Sequence, residues 1–205
     1  LKCIVGLHTP DHGSIIYDGR DYLSAEPKVR KNIRKEIGMV FQGGALFTSE
    51  TIQENVMFPL NMFNKQSKKE KLFRVNECLE RVGIAGTNML FPSELSGGMQ
   101  KRAAIARAIV LNPKYLFCDE PNSGLDPKTS IKIDELISDI TTEYNITTII
   151  NTHDMNSLMQ IGDYILFLNH GKKEWEGNMK EVFNAKSEAF NDFVFASEME
   201  KTLIN

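Results

Sequence analysis

Cysteine is scarce in this sequence. Cys3, Cys78 and Cys118 are the three, an odd number with no C-x-x-C pair. That argues against a disulfide framework and for reduced thiols inside a cell. Cys118, within "YLFCDE", reads as a small buried hydrophobe. No basic block stands out either: 24 Lys and Arg face 27 Asp and Glu, for a net charge of −3. The densest basic run, "KQSKKEK" at 65–71, reads as a solvated surface, so the charge supports no nucleic-acid partner. Long apolar runs are missing too. "YILFL" at 164–168 falls far short of the roughly 18 residues that span a bilayer. The opening "LKCIVGL" has neither the apolar stretch nor the cleavage site of a secretory leader. A soluble protein is expected, and no initiating methionine opens the chain, so it is expected to begin partway through a longer one. Internal repeats and low-complexity segments are also absent.

What is present is an alternation of strand-like and helix-like segments. "GSIIYDGRD" ends a short β-run on the turn pair Asp18-Gly19. "EIGMVFQ" at 36–42 is an apolar strand ending at Gln42, and the stretch after it is mixed and partly helical. Ser67 and Glu70 have capping-box spacing, and Leu72, Val75, Leu79 and Val82 continue as one stripe towards Gly83, which predicts a helix over 67–83. A second helix is expected from Ser96 to Leu111, stopped by Asn112-Pro113. "YLFCDE" at 115–120 has the continuous apolar character of a buried parallel strand. Asp126-Pro127 is a helix start, with Ile133, Leu136, Ile137 and Ile140 as its core face. "ITTIINTHD" predicts a buried strand ending at His153. "DYILFLNHGKKEWEG" predicts a hairpin turning at Asn169 to Gly171, and the last thirty residues read as an amphipathic helix. The fold class is α/β with a largely parallel sheet. Ligands bind beyond the carboxyl ends of such strands, so Asp119, Glu120 and His153 are expected to converge.

"ELSGGMQKRAAIARAI" at 94–109 places a serine and two glycines at a helix start. The unpaired N–H groups there carry about half a positive charge, and glycines let an anion approach the backbone. Ser96, Gly97 and Gly98 thus suit a phosphate. An apolar strand closed by Asp119-Glu120 suits a magnesium site: Asp119 as ligand, Glu120 as the base that orients and deprotonates water. His153 is placed to hydrogen-bond a terminal phosphate, and Gln42 to reach the metal or the water.

In order, Gln42, "LSGGMQ", "YLFCDEPNSGLD" and His153 reproduce the Q-loop, signature, Walker B, D-loop and H-loop of ABC-type ATPases. The chain resembles that family from end to end. The resemblance implies a P-loop NTPase-like domain over 1–205, with a helical subdomain at about 49–95 coupled to an integral membrane permease. It also implies ATP and Mg2+ as cofactors, and a head-to-tail pair of such subunits, a homodimer being expected. The signature of one subunit then faces the nucleotide held by the other, and Asp126 lies at the shared interface. The implied location is cytoplasmic, against the inner face of the plasma membrane. The family's phosphate loop, G-x-x-x-x-G-K-[ST], does not occur in the 205 residues, and Leu1 is expected to fall just after it. These residues by themselves are therefore expected neither to hold ATP tightly nor to hydrolyse it.

Within the family, "IGMVFQGGALFTSETIQENVMFPL" at 37–60 is similar to the ATPases of Mla or MCE-type lipid-transport systems, and Met99 after "LSGG" fits that group. An MCE-type substrate-binding protein is then an implied partner. The alternatives are an amino-acid importer ATPase, a degenerate regulatory subunit, and a non-transport ABC module acting as a nucleotide-gated switch.

Overall fold

The computed structural model describes residues 1–194. Contacts divide the chain into two units, Leu1–Asn151 and Thr152–Asn205.

The first unit opens with a tiny antiparallel hairpin, β1 (Ile16–Tyr17) and β2 (Arg20–Asp21). Its turn is the Asp18-Gly19 pair, both with positive φ (46° and 74°). Helix α1 (Pro27–Lys35) follows, then β3 (Ile37–Val40). Helices α2 (Ile52–Phe63) and α3 (Lys68–Arg81) both begin with reciprocal capping boxes, Thr51 with Glu54 and Ser67 with Glu70. Each box satisfies two orphan N–H groups, which fixes where these helices start. Gly83, with φ 73°, lets the chain leave α3 in a left-handed step. Helix α4 (Gly97–Ile109), strand β4 (Tyr115–Asp119), helix α5 (Pro127–Glu143) and strand β5 (Thr147–Asn151) complete the unit.

Strands β3, β4 and β5 form a parallel sheet in that order. The main core joins Val40, Leu116 and Cys118 of the sheet to Ile133, Ile137 and Ile140 of α5, and to α2, α3 and α4. Helix α4 is its hub. Ala103 to Ile109 are all buried, so the helix is covered on every side. Gly38 accounts for part of this closeness: a Cβ there would lie 2.5 Å from the Ala108 carbonyl oxygen.

In the second unit, α6 (Met155–Ile161) precedes the antiparallel pair β6 (Tyr164–Asn169) and β7 (Lys172–Asn178). The hairpin turns at His170-Gly171, both left-handed. Trp175 stacks on Phe190, with centroids 4.3 Å apart, over a small core with Ile165 and Val182.

Two expectations need correction. The strand expected to run to His153 ends at Asn151, and it alternates between exposed and half-buried residues instead of being buried. It pairs with β4 alone among the described residues, which leaves one edge and part of each face uncovered. The helix expected over the last thirty residues is broken. Residues 176–178 end β7, Val182–Asn184 form a 3-10 turn, and 188–194 are helical; 195–205 lie outside the described residues. Among the described residues no helix is long and apolar enough to cross a membrane.

Candidate functional site

Strand register brings the first group of residues together. Val40 pairs with Cys118, and Asp119 pairs with Asn151. Gln42 and Glu120 therefore both lie two residues beyond that Val40–Cys118 pair, past the carboxyl end of the sheet. The Gln42 amide nitrogen approaches the Ser123 hydroxyl at 3.5 Å. Asp119 accepts a 2.7 Å hydrogen bond from the Asn151 side chain. A carboxylate and an exposed amide at and beyond the strand ends are donors of the kind Mg2+ takes, since it uses few protein ligands and keeps its waters and phosphates. No cluster of three or more His, Cys, Asp or Glu exists among the described residues, so a fully protein-caged metal finds no support.

Glu120 sits where the strand turns. Its φ is +48°, its N–H donates to the Asn151 carbonyl at 2.8 Å, and its own carbonyl accepts from Ser123 N–H at 3.1 Å. A left-handed non-glycine residue costs on the order of 1–2 kcal/mol, and such strain gathers at working sites.

The start of α4 is the second group. Ser96 is the N-cap, its hydroxyl accepting from Met99 N–H at 3.3 Å, and the first turn holds no acidic residue. Ser96 and Gly97 are exposed. Gly98 also has a packing role: a Cβ there would lie 2.8 Å from Thr129 Cγ2, whereas at Gly97 the nearest atom, Leu125 Cδ2, is 3.5 Å away. Gly97 leaves the helix end open; Gly98 lets the starts of α4 and α5 touch. Asp126 caps α5, accepting from Thr129 N–H at 3.0 Å. Hydrogen bonds from Thr129 hold its carboxyl below the usual aspartate range.

Sequence reasoning missed the link between these groups. Lys101 and Arg107 are both buried on α4. The Lys101 ammonium donates to the Gln42 carbonyl, and Arg107 donates to Gly44 and Ala45 carbonyls at 2.6 and 2.7 Å. Burial pushes the Lys101 ammonium down from the ordinary lysine range, and the charge of Glu120 draws it partly back. Arg107 is lowered by burial. Arg107 lies within the apolar run "AAIARAI", which favours its burial, but neither its partners nor those of Lys101 are written in the sequence. His153 belongs to the second unit, where it is exposed one residue before Asp154, the N-cap of α6.

A third feature lies on the same unit. A groove of about 410 Å³ is lined by Phe41, Ala45, Phe47, Phe58, Met62 and Arg107, among others. Phe47, Phe58 and Met62 are exposed at 42%, 42% and 56%.

A family model described as "ABC transporter" matches residues 1–123. The methionine import ATP-binding protein MetN of Protochlamydia amoebophila is 38% identical over 184 residues, covering 89% of this chain and 53% of that protein. A probable ribonucleotide transport ATP-binding protein, mkl, of Mycobacterium leprae is 42% identical over 172 residues, covering 83% and 50%. The chain thus spans about half the length of the curated relatives it matches. Among solved structures, the dimeric post-hydrolysis state of the ATP-binding cassette MJ0796, bound to ADP and Pi, superimposes with a TM-score of 0.78 at 33% identity, covering 87% of this chain and 78% of that one. The cbiO1 protein of Clostridium perfringens, part of the ABC transporter complex cbiONQ, gives 0.78 at 29% identity, covering 100% and 81%.

Proposed function

The chain belongs to the ABC transporter family, and from that premise we propose that it is the ATP-hydrolysing part of a transporter, driving a cargo through a membrane permease. The observation that carries this reading is the α4 start. Ser96 and Gly97 are exposed at a helix end whose positive dipole no acid in the first turn offsets. That end receives the terminal phosphate of a nucleotide held by a second copy of the protein. Asp126, exposed on the neighbouring helix start, lies along the same shared face.

On its own nucleotide each copy offers the strand-end group. Asp119 and the Gln42 amide would hold Mg2+, which when bound neutralises charge on the phosphates. Glu120 orients the attacking water and takes its proton. His153 hydrogen-bonds the terminal phosphate. The phosphate-binding lysine loop is not among the 205 residues, so the whole protein's activity is tested on a full-length chain that carries one.

The segment at about 49–95, with α2 and α3, serves as the helical subdomain, and the aromatic groove beside Phe41 and Phe47 is where the permease docks. The protein then works at the cytoplasmic face of the membrane without crossing it. For the cargo, "IGMVFQGGALFTSETIQENVMFPL" favours lipid and an MCE-type partner protein. A methionine importer is the second reading, favoured by the 38% identity to MetN.

ATP turnover by the full-length protein tests the core of this. Glu120→Gln should lower the rate on the order of 10²–10⁴-fold while ATP still pairs the subunits. Unchanged turnover in that variant, or an ATP-closed dimer with Ser96 facing away from the nucleotide, overturns it. The permease that co-purifies decides the cargo: an MCE-type permease supports lipid, an amino-acid permease overturns it.

A further inference from the structure

Two cations on α4 hold the loop that follows Gln42. Lys101 is 7% exposed and Arg107 9%. The ion pairs of the described residues involve neither. Burying a charge outside an ion pair is costly, and a neutral donor could satisfy a carbonyl at less expense. Their acceptors are three carbonyls of one short loop: Gln42 for Lys101, Gly44 and Ala45 for Arg107. Gly44 and Ala45 are both left-handed, at φ 72° and 47°. Such a step is unfavourable for alanine, so an outside contact must hold it. The forked guanidinium provides that contact, one N–H group to each carbonyl. Arg107 and Ala45 also line the aromatic groove.

We propose that Lys101 and Arg107 are positioning residues that lock the loop at 42–46 onto α4, so that Gln42 and Ser96 move as one rigid piece. The inference rests on the reading of Gln42 and Ser96 given above. Within it, Gln42 acts on the nucleotide of its own subunit and Ser96 on the facing one. The clamp sets both geometries together, and pressure on the groove reaches both ends of α4 through the same piece.

The test uses the full-length protein with three variants. Lys101→Met keeps the length of the side chain and removes its donor. Arg107→Lys keeps the charge and removes the fork. Lys101→Arg restores a donor. The clamp predicts that the first two lower kcat for ATP about tenfold with KM within about twofold, since the phosphate cradle is untouched. Amide exchange over 43–47 should quicken about tenfold in the same variants, because the loop has lost its anchor. Lys101→Arg should recover at least about half of kcat. Faster loop exchange with native kcat means the cations only fill the core, and overturns the proposal. So does a change in KM alone, or native exchange in both variants. An unmodified protein without turnover overturns the functional reading and this inference together, whereas an active protein with indifferent variants overturns this inference only.

Discussion

The starts of α4 and α5 are built alike and differ in the charge of their caps. Each has an oxygen-bearing cap that accepts the N–H three residues on, Ser96 from Met99 and Asp126 from Thr129. Ser96 is neutral and is followed by two glycines; Asp126 brings a carboxylate and is followed by Pro127. Helices α2 and α3 close their ends with Glu54 and Glu70. A cap satisfies the backbone with either chemistry, so geometry alone does not distinguish a closed helix end from an anion site. The sign of the charge does. The two ends also touch at Gly98 and Thr129.

The sharpest way to break this contrast is to give α4 the cap of α5. Ser96→Asp should keep the helix capped and thermal stability at or above native. ATP turnover of the full-length protein should fall on the order of 10²-fold or more, as when a donor to a developing anion is lost. Undiminished turnover would mean that charge at this end is irrelevant. A smaller effect separates the two glycines. Gly98→Ala must push Thr129 aside and should cost about 2 kcal/mol in denaturant unfolding. Thr129→Ser in the same chain should recover much of it, while Gly97→Ala, in ordinary contact distance of Leu125, should cost less. Equal costs would remove the packing role assigned to Gly98. The smallest effect is pH-dependent. Asp126 has a lowered folded pKa, so its contribution to stability is complete above its ordinary value of 3.8 and fades as pH falls through the lowered one. Asp126→Asn should flatten that part of the acid limb. Ser96→Ala should lower stability by about 1 kcal/mol equally at every pH.

Where a segment's own residues decide its shape, the sequence was enough. Ser67 with Glu70 marks α3, Asp126-Pro127 marks α5, and the apolar run before Asp119 marks β4. Helix α1 escaped notice because Ile33 is its one buried residue, too little to make a stripe. Helix α2 is hard to recognise, since Pro59 lies inside it and its capping box, Thr51 with Glu54, is its one clear start signal. Gln42, Ser96 and Asp119 stand out through the order of the motifs and the family resemblance that this order carries. Lys101 and Arg107 do not, because their partners are backbone carbonyls about 60 residues away, to which no side-chain pattern corresponds.

The left-handed backbone at Glu120 has a consequence for how this protein can be improved. Glycine would settle into that conformation without steric strain, so the backbone there would relax if the acid were given up. On the reading proposed for Glu120, selection for heat resistance alone would drift towards an inert molecule. Robustness and turnover pull this one residue in opposite directions.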